Sequence, residues 1–194
     1  MIRTAATEFL AGFDAALRPV AEHLVAGATK RVFPKGHRVL SPGETADRFY
    51  YQHTGVTRNF LRRGRHEVTT WLTLDAGIVT ALASLARQRP SAEAIEVVER
   101  AHVLEFDAAA LRRSYREVAG AERLGRLVTE HYFALLTQRL HDNTVMSARD
   151  RYAALLADDP AVIMRVPLGI VAGYLGMTQE TLSRVRRRLA EGRA

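Results

Sequence analysis

Cysteine is absent from the 194 residues, which removes disulfides, thiolate nucleophiles, cysteine-held zinc and cysteine-held iron–sulfur clusters. Any metal would fall to the seven histidines and the carboxylates. Lysine is almost as scarce: Lys30 and Lys35 are the only two among 28 basic residues, so arginine carries the net charge of +7. That balance favours a polyanionic partner, but GC-rich coding also enriches arginine and alanine, so the placement of the arginines has to decide. No stretch approaches the roughly 18 apolar residues of a membrane span, and Glu8 and Asp14 interrupt the N-terminal segment where a signal core would lie. A cytoplasmic protein with no membrane partner is expected. With 47% hydrophobic and 25% charged residues, the chain can build one medium domain or two small ones around a packed core.

Catalytic signatures are missing as well. There is no Gly-rich phosphate loop, no Gly-x-Ser-x-Gly elbow and no defensible triad, so no enzyme is expected. A rival reading, a small cupin-like β-barrel metalloenzyme with a helical appendage, needs several histidines and a carboxylate to converge. No His-x-His occurs, and His53 and His66 on facing strands lack a third ligand at suitable spacing.

What is present changes texture twice. Over 7–24, Phe9, Phe13, Leu17, Val20 and Leu24 recur with the period of an amphipathic helix, which Pro19 is predicted to break in two. Over 30–106 come short strand-like runs, Arg38-Val39-Leu40, Phe49-Tyr50-Tyr51, Val56-Thr57-Arg58-Asn59-Phe60-Leu61 and Glu67-Val68-Thr69-Thr70-Trp71-Leu72, punctuated by Gly36, Gly43, Gly55 and Gly64. That pattern predicts a small antiparallel β roll or barrel.

Beyond Asp107 the strand signal ends. The stretch 111–146 has no proline and predicts one long helix, with Leu124, Leu127, Val128, His131, Leu135, Leu136 and Leu140 on a broad apolar face. Antiparallel packing onto its own domain is one solution. A paired helix across a two-fold axis is the more economical one, with Leu124, Leu127, Val128, His131 and Leu135 at the seam. Ser147 then caps a further helix that Asp158-Asp159-Pro160 stops.

Pro167 suits the first turn of a helix whose apolar face is Leu168, Val171, Ala172 and Leu175, and Gly176 can take the left-handed conformation that ends it. Thr178 offers a cap to a second helix, with Leu182, Val185 and Leu189 facing inward. Two short helices joined in this way form a helix-turn-helix. Gln179, Glu180, Ser183 and Arg184 then point outward with the chemistry of major-groove readers, while Thr178, Arg186, Arg187, Arg188 and Arg193 can meet phosphates. An ordinary helical hairpin with a solvated basic face is the competing reading.

The order of parts and several strings resemble the Crp/Fnr family of bacterial transcription regulators: Phe33-Pro34-Lys35-Gly36, Ser41-Pro42-Gly43-Glu44, Gly55-x-x-Arg58, Pro90-Ser91, Arg151-Tyr152 with Leu155-Leu156, and Tyr174-Leu175-Gly176-Met177-Thr178-Gln179-Glu180-Thr181-Leu182-Ser183-Arg184. The similarity covers nearly the whole chain. It implies an α+β protein with an N-terminal antiparallel β roll of the cyclic-nucleotide-binding type and flanking helices over 1–118, a central dimerisation helix over 119–146 and a helix-turn-helix domain over 147–194. Gln179, Glu180 and Arg184 match the family's base-reading positions. The implied partners are double-stranded DNA, a second copy of the chain, RNA polymerase and a small-molecule effector of unknown identity. The same fold without DNA binding would be a protein-binding module.

The sequence departs from the family's pattern in three places. Cyclic-AMP-binding members carry a glutamate for the ribose and an arginine for the cyclic phosphate; over 74–82 here, Ala81 takes the glutamate position, and the arginine position falls near Ser91 or Ala92. Thr80, Ala81, Leu82, Ser91 and Ala92 remain the candidate effector residues, with Arg87 and Arg89 nearby. A phosphate buried without a paired cation is costly, so control by cyclic nucleotide is not expected. The iron–sulfur branch is excluded by the missing cysteine. A haem would need one of His37, His53, His66, His102 or His131, each of which reads better as an ordinary surface or hydrogen-bonded histidine. Finally, five residues follow Leu189, too few for the β-hairpin wing of winged members.

Overall fold

The first helical period resolves into two helices, but the break precedes Pro19. In the computed structural model, which describes residues 1–64 and 66–191, helix α1 (Ile2–Ala11) ends at Gly12. A 3-10 turn (Ala15–Leu17) follows, capped by the Asp14 carboxylate, which accepts from the Ala16 amide. Helix α2 (Arg18–Ala26) then carries Pro19 in its first turn. A proline there has no needed amide hydrogen to lose and its φ suits the helix, so Pro19 starts the second helix instead of interrupting the first.

Six strands form one antiparallel sheet: β1 (Thr29–Phe33), β2 (Arg38–Leu40), β3 (Arg48–Arg63), β4 (His66–Leu74), β5 (Gly77–Val79) and β6 (Ala94–Asp107). Helix α3 (Leu82–Arg87) interrupts them before β6. Strands β6 and β3 form the spine, with β1 and β2 on β6 and β4 and β5 on β3. The two runs expected over 49–51 and 56–61 are one strand, β3, whose register against β6 shifts between Gln52 and Thr57. Such bulges bend and twist a strand. Gly55 sits in that bend at φ +105°, where a Cβ would lie 2.5 Å from the Arg100 carbonyl oxygen, so only glycine fits. The curled sheet encloses Tyr50, Val79, Ile95, Val97 and Val103.

The single helix expected over 111–146 is two. Helix α4 (Ala108–Glu117) is capped by the Asp107 carboxylate, which accepts from the Ala110 amide at 2.7 Å. It stops at Val118, and helix α5 (Ala121–Val145) starts after Gly120, held at φ +89°. The break lets Tyr115 and Val118 pack beside Leu124 against Val20, Ala21, Val25, Tyr51 and Leu104. Burial of these side chains outweighs the local preference for an unbroken helix.

Four helices close the chain: α6 (Ala148–Asp158), α7 (Val162–Arg165), α8 (Leu168–Tyr174) and α9 (Gln179–Ala190). Ser147 caps α6 by accepting from the Asp150 amide. Their shared core of Tyr152, Val162, Val171, Ala172, Leu175 and Leu182 is continuous with Val56, Leu72 and Val98 of the sheet.

Candidate nucleic-acid interface

Helices α8 and α9 are joined by a turn with defined hydrogen bonds. Gly176 adopts φ +64°, the Met177 amide donates to the Ala172 carbonyl at 3.0 Å and the Gly176 amide donates to that of Gly173 at 3.3 Å. This is the Schellman termination, which satisfies carbonyls that the helix end would leave open. The Thr178 hydroxyl accepts from the Thr181 amide at 3.2 Å and so caps α9. Leu182 is fully buried, and Val185 and Leu189 pack on the same core.

The opposite side of α9 is exposed: Gln179, Glu180, Ser183, Arg184, Arg186, Arg187 and Arg188 all meet solvent. At about 100° per residue, Gln179, Ser183, Arg187, Glu180 and Arg184 share the outward sector, while Arg186 and Arg188 border it on either side. Arg187, expected at a phosphate, thus shares the direction of the base-reading set. The hydroxyl of Thr178, also expected at a phosphate, is committed to the helix cap. Glu180 is held below the usual carboxylate range, first by its own backbone amide, then by the Thr178 hydroxyl and, more weakly, by Arg184; it is an acceptor at neutral pH. The Arg184 guanidinium donates to the Thr181 hydroxyl at 3.3 Å. Arg193 lies outside the described residues.

No protein-family model and no curated protein matches the chain. Solved structures do. FixK2 from Bradyrhizobium japonicum superposes with a TM-score of 0.73 at 18% identity, covering 85% of each chain. The c-di-GMP-responsive global regulator CLP of Xanthomonas campestris gives 0.70 at 17%, over 92% of this chain and 93% of its own. A transcriptional regulator of the Crp/Fnr family from Eubacterium rectale gives 0.70 at 16%, over 92% and 85%. The chain has the Crp/Fnr fold. At these identities the likeness is one of architecture, and it covers the roll, the central helix and the helix-turn-helix together.

Within this Crp/Fnr fold, the five candidate effector residues do not converge. Thr80 and Ala81 line a space of about 30 Å³ inside the roll with Arg48, Tyr50 and Ile95. The Asn59 amide group donates to the Thr80 carbonyl at 2.9 Å and to Glu93 at 3.3 Å. Leu82 turns outward, onto a separate cavity that Thr80 also touches. The Ser91 hydroxyl is tied to the Glu93 backbone, and Ala92 is exposed, as are Arg87 and Arg89. These residues do not fit a cyclic nucleotide: the buried Ala81 brings no carboxylate, and the space beside Thr80 and Ala81 has room for little more than a water or two.

The metalloenzyme reading would need His53 and His66 to converge on facing strands, and the strand register sets them far apart. His66 is in register with Arg63, whereas His53 lies at the other end of β3; the His66 side chain is outside the described residues. His37 stacks on Phe33 with centroids 4.6 Å apart, and His131 meets Phe13 edge-on at 5.3 Å. Among the described residues no three histidines or carboxylates converge as a metal site, and no described helix is long and apolar enough to cross a membrane.

The apolar face expected along the central helix of the Crp/Fnr fold divides in two. Leu124 is 1% exposed within its own domain, where Leu127 and Val128 also pack. Leu124 is therefore a core residue, and Leu127 and Val128 are half-buried beside it against the same cluster. Leu135 is exposed. Phe133, absent from the expected seam, is 69% exposed, as is Leu140, with Leu136 between them. The spacing 133, 136, 140 was the available signal, obscured by the leucines of the other face.

Two arginines that sequence reasoning passed over tie helices to the sheet. Arg139 of α5 donates to the Thr69 carbonyl at 2.9 Å, to that of Tyr174 at 2.6 Å and to that of Thr70, and its guanidinium lies 3.8 Å from the Tyr174 ring centroid. Arg165 of α7 forks onto Asp75 at 2.7 and 3.0 Å and onto Glu99 at 2.9 Å twice. Hydrogen bonding to Asp75 and then to Glu99 raises the Arg165 pKa. Arg165, followed by the Gly55 amide, holds Asp75 below its ordinary range.

Proposed function

We propose that the chain is a cytoplasmic, sequence-specific DNA-binding transcription regulator that acts as a homodimer on an inverted-repeat site and has no catalytic activity of its own. The observation that carries this reading is the outward sector of α9, where donors and acceptors suited to base edges stand beside arginines suited to phosphates, on a helix whose other side is anchored by Leu182. Arginine forks onto guanine, glutamine onto adenine, and an ionised glutamate accepts from cytosine. The stripe of Phe133, Leu136 and Leu140 supports pairing with a second copy through α5. Two α9 helices would then enter successive major grooves about 34 Å apart. The filled roll interior supports regulation without a cyclic nucleotide, and contact with RNA polymerase follows if the regulator activates.

Selection of bound DNA from a random pool, followed by anisotropy titration, tests this. A palindromic consensus is expected. Arg184→Ala should weaken binding by about 1–3 kcal/mol and relax preference at one position of each half-site, whereas Arg188→Ala should weaken all sequences alike and flatten the salt dependence. An Arg184→Ala protein with unchanged affinity and preference would remove the assignment. DNA binding that is undetectable or insensitive to salt would make this fold a protein-binding module instead.

A further inference from the structure

A cavity of about 320 Å³ lies outside the roll, between α3, α4, the first half of α5 and the N-terminal helices. Leu10, Phe49, Phe106, Leu111, Leu124 and Val128 are among the apolar residues of its wall. Phe49 and Phe106 are stacked with centroids 4.7 Å apart and 11° between their rings, which makes one wall flat and rigid. Tyr115 lies directly on α5 because residue 125 is glycine; a Cβ there would collide with the Tyr115 hydroxyl. The size falls in the usual range of small-molecule pockets, roughly 300–1,000 Å³.

Water suits this space poorly, since each ordered water needs two to four polar partners and the lining offers few polar groups, chiefly the hydroxyls of Thr80, Tyr115 and Thr129 and the Arg112 guanidinium. The Thr129 hydroxyl donates to the Gly125 carbonyl at 2.8 Å, and the Thr80 hydroxyl donates to that of Arg48 at 3.2 Å. Left empty, the apolar wall forfeits dispersion contacts. One lining cation differs from the rest. Arg112 is exposed, its guanidinium donates to the neutral Gln88 side chain at 3.3 Å, and no carboxylate pairs with it among the described residues.

We propose that this cavity binds an anionic amphiphile: a compact apolar body enclosed by α3, α4 and α5, and a single carboxylate held by Arg112. A guanidinium matches a carboxylate with two parallel hydrogen bonds, and the stacked phenylalanines suit an aliphatic chain. The partner helix of a dimer is not the occupant. At about 100° per residue, Leu124 lies about 120° or more and Val128 about 80° or more around α5 from the Phe133, Leu136 and Leu140 stripe, while Thr129 shares the stripe's sector, so a second copy paired there would border the cavity and leave its inner wall of Leu124 and Val128 in place. Nor does the site rest on the DNA reading, because its occupancy is measured without DNA and DNA binding is measured without the ligand.

Calorimetric titration of the full chain with decanoate and with decanol, below their aggregation limits, tests the site. Saturable binding of one decanoate per chain is expected. Arg112→Gln, at an exposed position, should weaken decanoate about tenfold and leave decanol unchanged. Ala86→Phe, which fills the cavity from its rim, should abolish both, with circular dichroism confirming the fold. Absence of saturable binding to the natural chain overturns the proposal, as does binding that Ala86→Phe leaves intact. Equal weakening of decanoate and decanol by Arg112→Gln overturns the carboxylate assignment.

Discussion

The two halves of α5 carry similar side chains and meet opposite fates. In the first half Ala121 and Leu124 are buried, with Leu127 and Val128 packed beside them against the N-terminal helices. In the second half Phe133, Leu136, Leu140 and Val145 stand in solvent, and the helix is held by its other side, through Tyr132 and Arg139. The Tyr132 hydroxyl accepts from the Ile78 amide at 2.7 Å, and Arg139 reaches β4 and Tyr174. An apolar period thus states that a face needs cover without stating what covers it. The cover changes where α1 and α2 run out.

The sharpest way to break this comparison is to truncate one leucine from each half. Leu124→Ala removes a buried side chain and should cost about 3 kcal/mol of unfolding free energy, within the usual 2–5 kcal/mol, measured by urea denaturation. A loss under about 1 kcal/mol would mean that this half is as open as the other. Leu140→Lys should change monomer stability by no more than about 0.5 kcal/mol. It should nevertheless raise the dimer dissociation constant at least about tenfold in sedimentation equilibrium, since an unpaired charge would enter the seam. Unchanged association would place the dimer contact elsewhere.

The smallest expected effect concerns the attachment of the helical domain beyond α5. Asp75 and Glu99 keep side-chain exposures of 48% and 42%, so solvent screening limits the Arg165 network to about 1 kcal/mol or less at neutral pH. The Asp75 pKa is depressed in the folded chain, so its contribution is complete above the unfolded carboxyl pKa of about 3.9 and is lost as pH falls through the lower folded value. The stability difference between the natural chain and Arg165→Ala should therefore stay constant from pH 7 to about pH 5 and close only in stronger acid. A difference that closed between pH 7 and pH 5 would implicate another group.

What could be read directly was local. Gly176 and Thr178 are each bound to their roles by backbone chemistry within a few residues, and the inward set of Leu182, Val185 and Leu189 is a period on a single helix; Pro167, expected in the first turn of α8, sits one position earlier as its N-cap. The strand segments of the roll were legible for the same reason, although the joining of two of them into β3 was not, because the bend at Gly55 depends on the approach of Arg100 from β6. The gap at Val118 to Gly120 was hidden by residues that favour helix on either side. Arg165 could not be singled out, because Glu99 and Asp75 lie 66 and 90 positions away. The effector candidates scattered because similarity in order carries no information about how the segments on either side of α3 fold: Thr80 and Ala81 precede that helix, Leu82 opens it, and Ser91 and Ala92 follow it.

The sequence by itself determined the α+β architecture, the exclusion of cysteine chemistry and the exposed polar face of α9, since these depend on composition and on periods within one element. Tertiary structure alone decided which half of α5 is core, which arginines fasten the helical domain to the sheet, and that space for a small molecule opens outside the roll while its interior is filled. Each of those outcomes depends on surfaces brought together from distant parts of the chain, where side-chain volume and burial, not local preference, set the free energy.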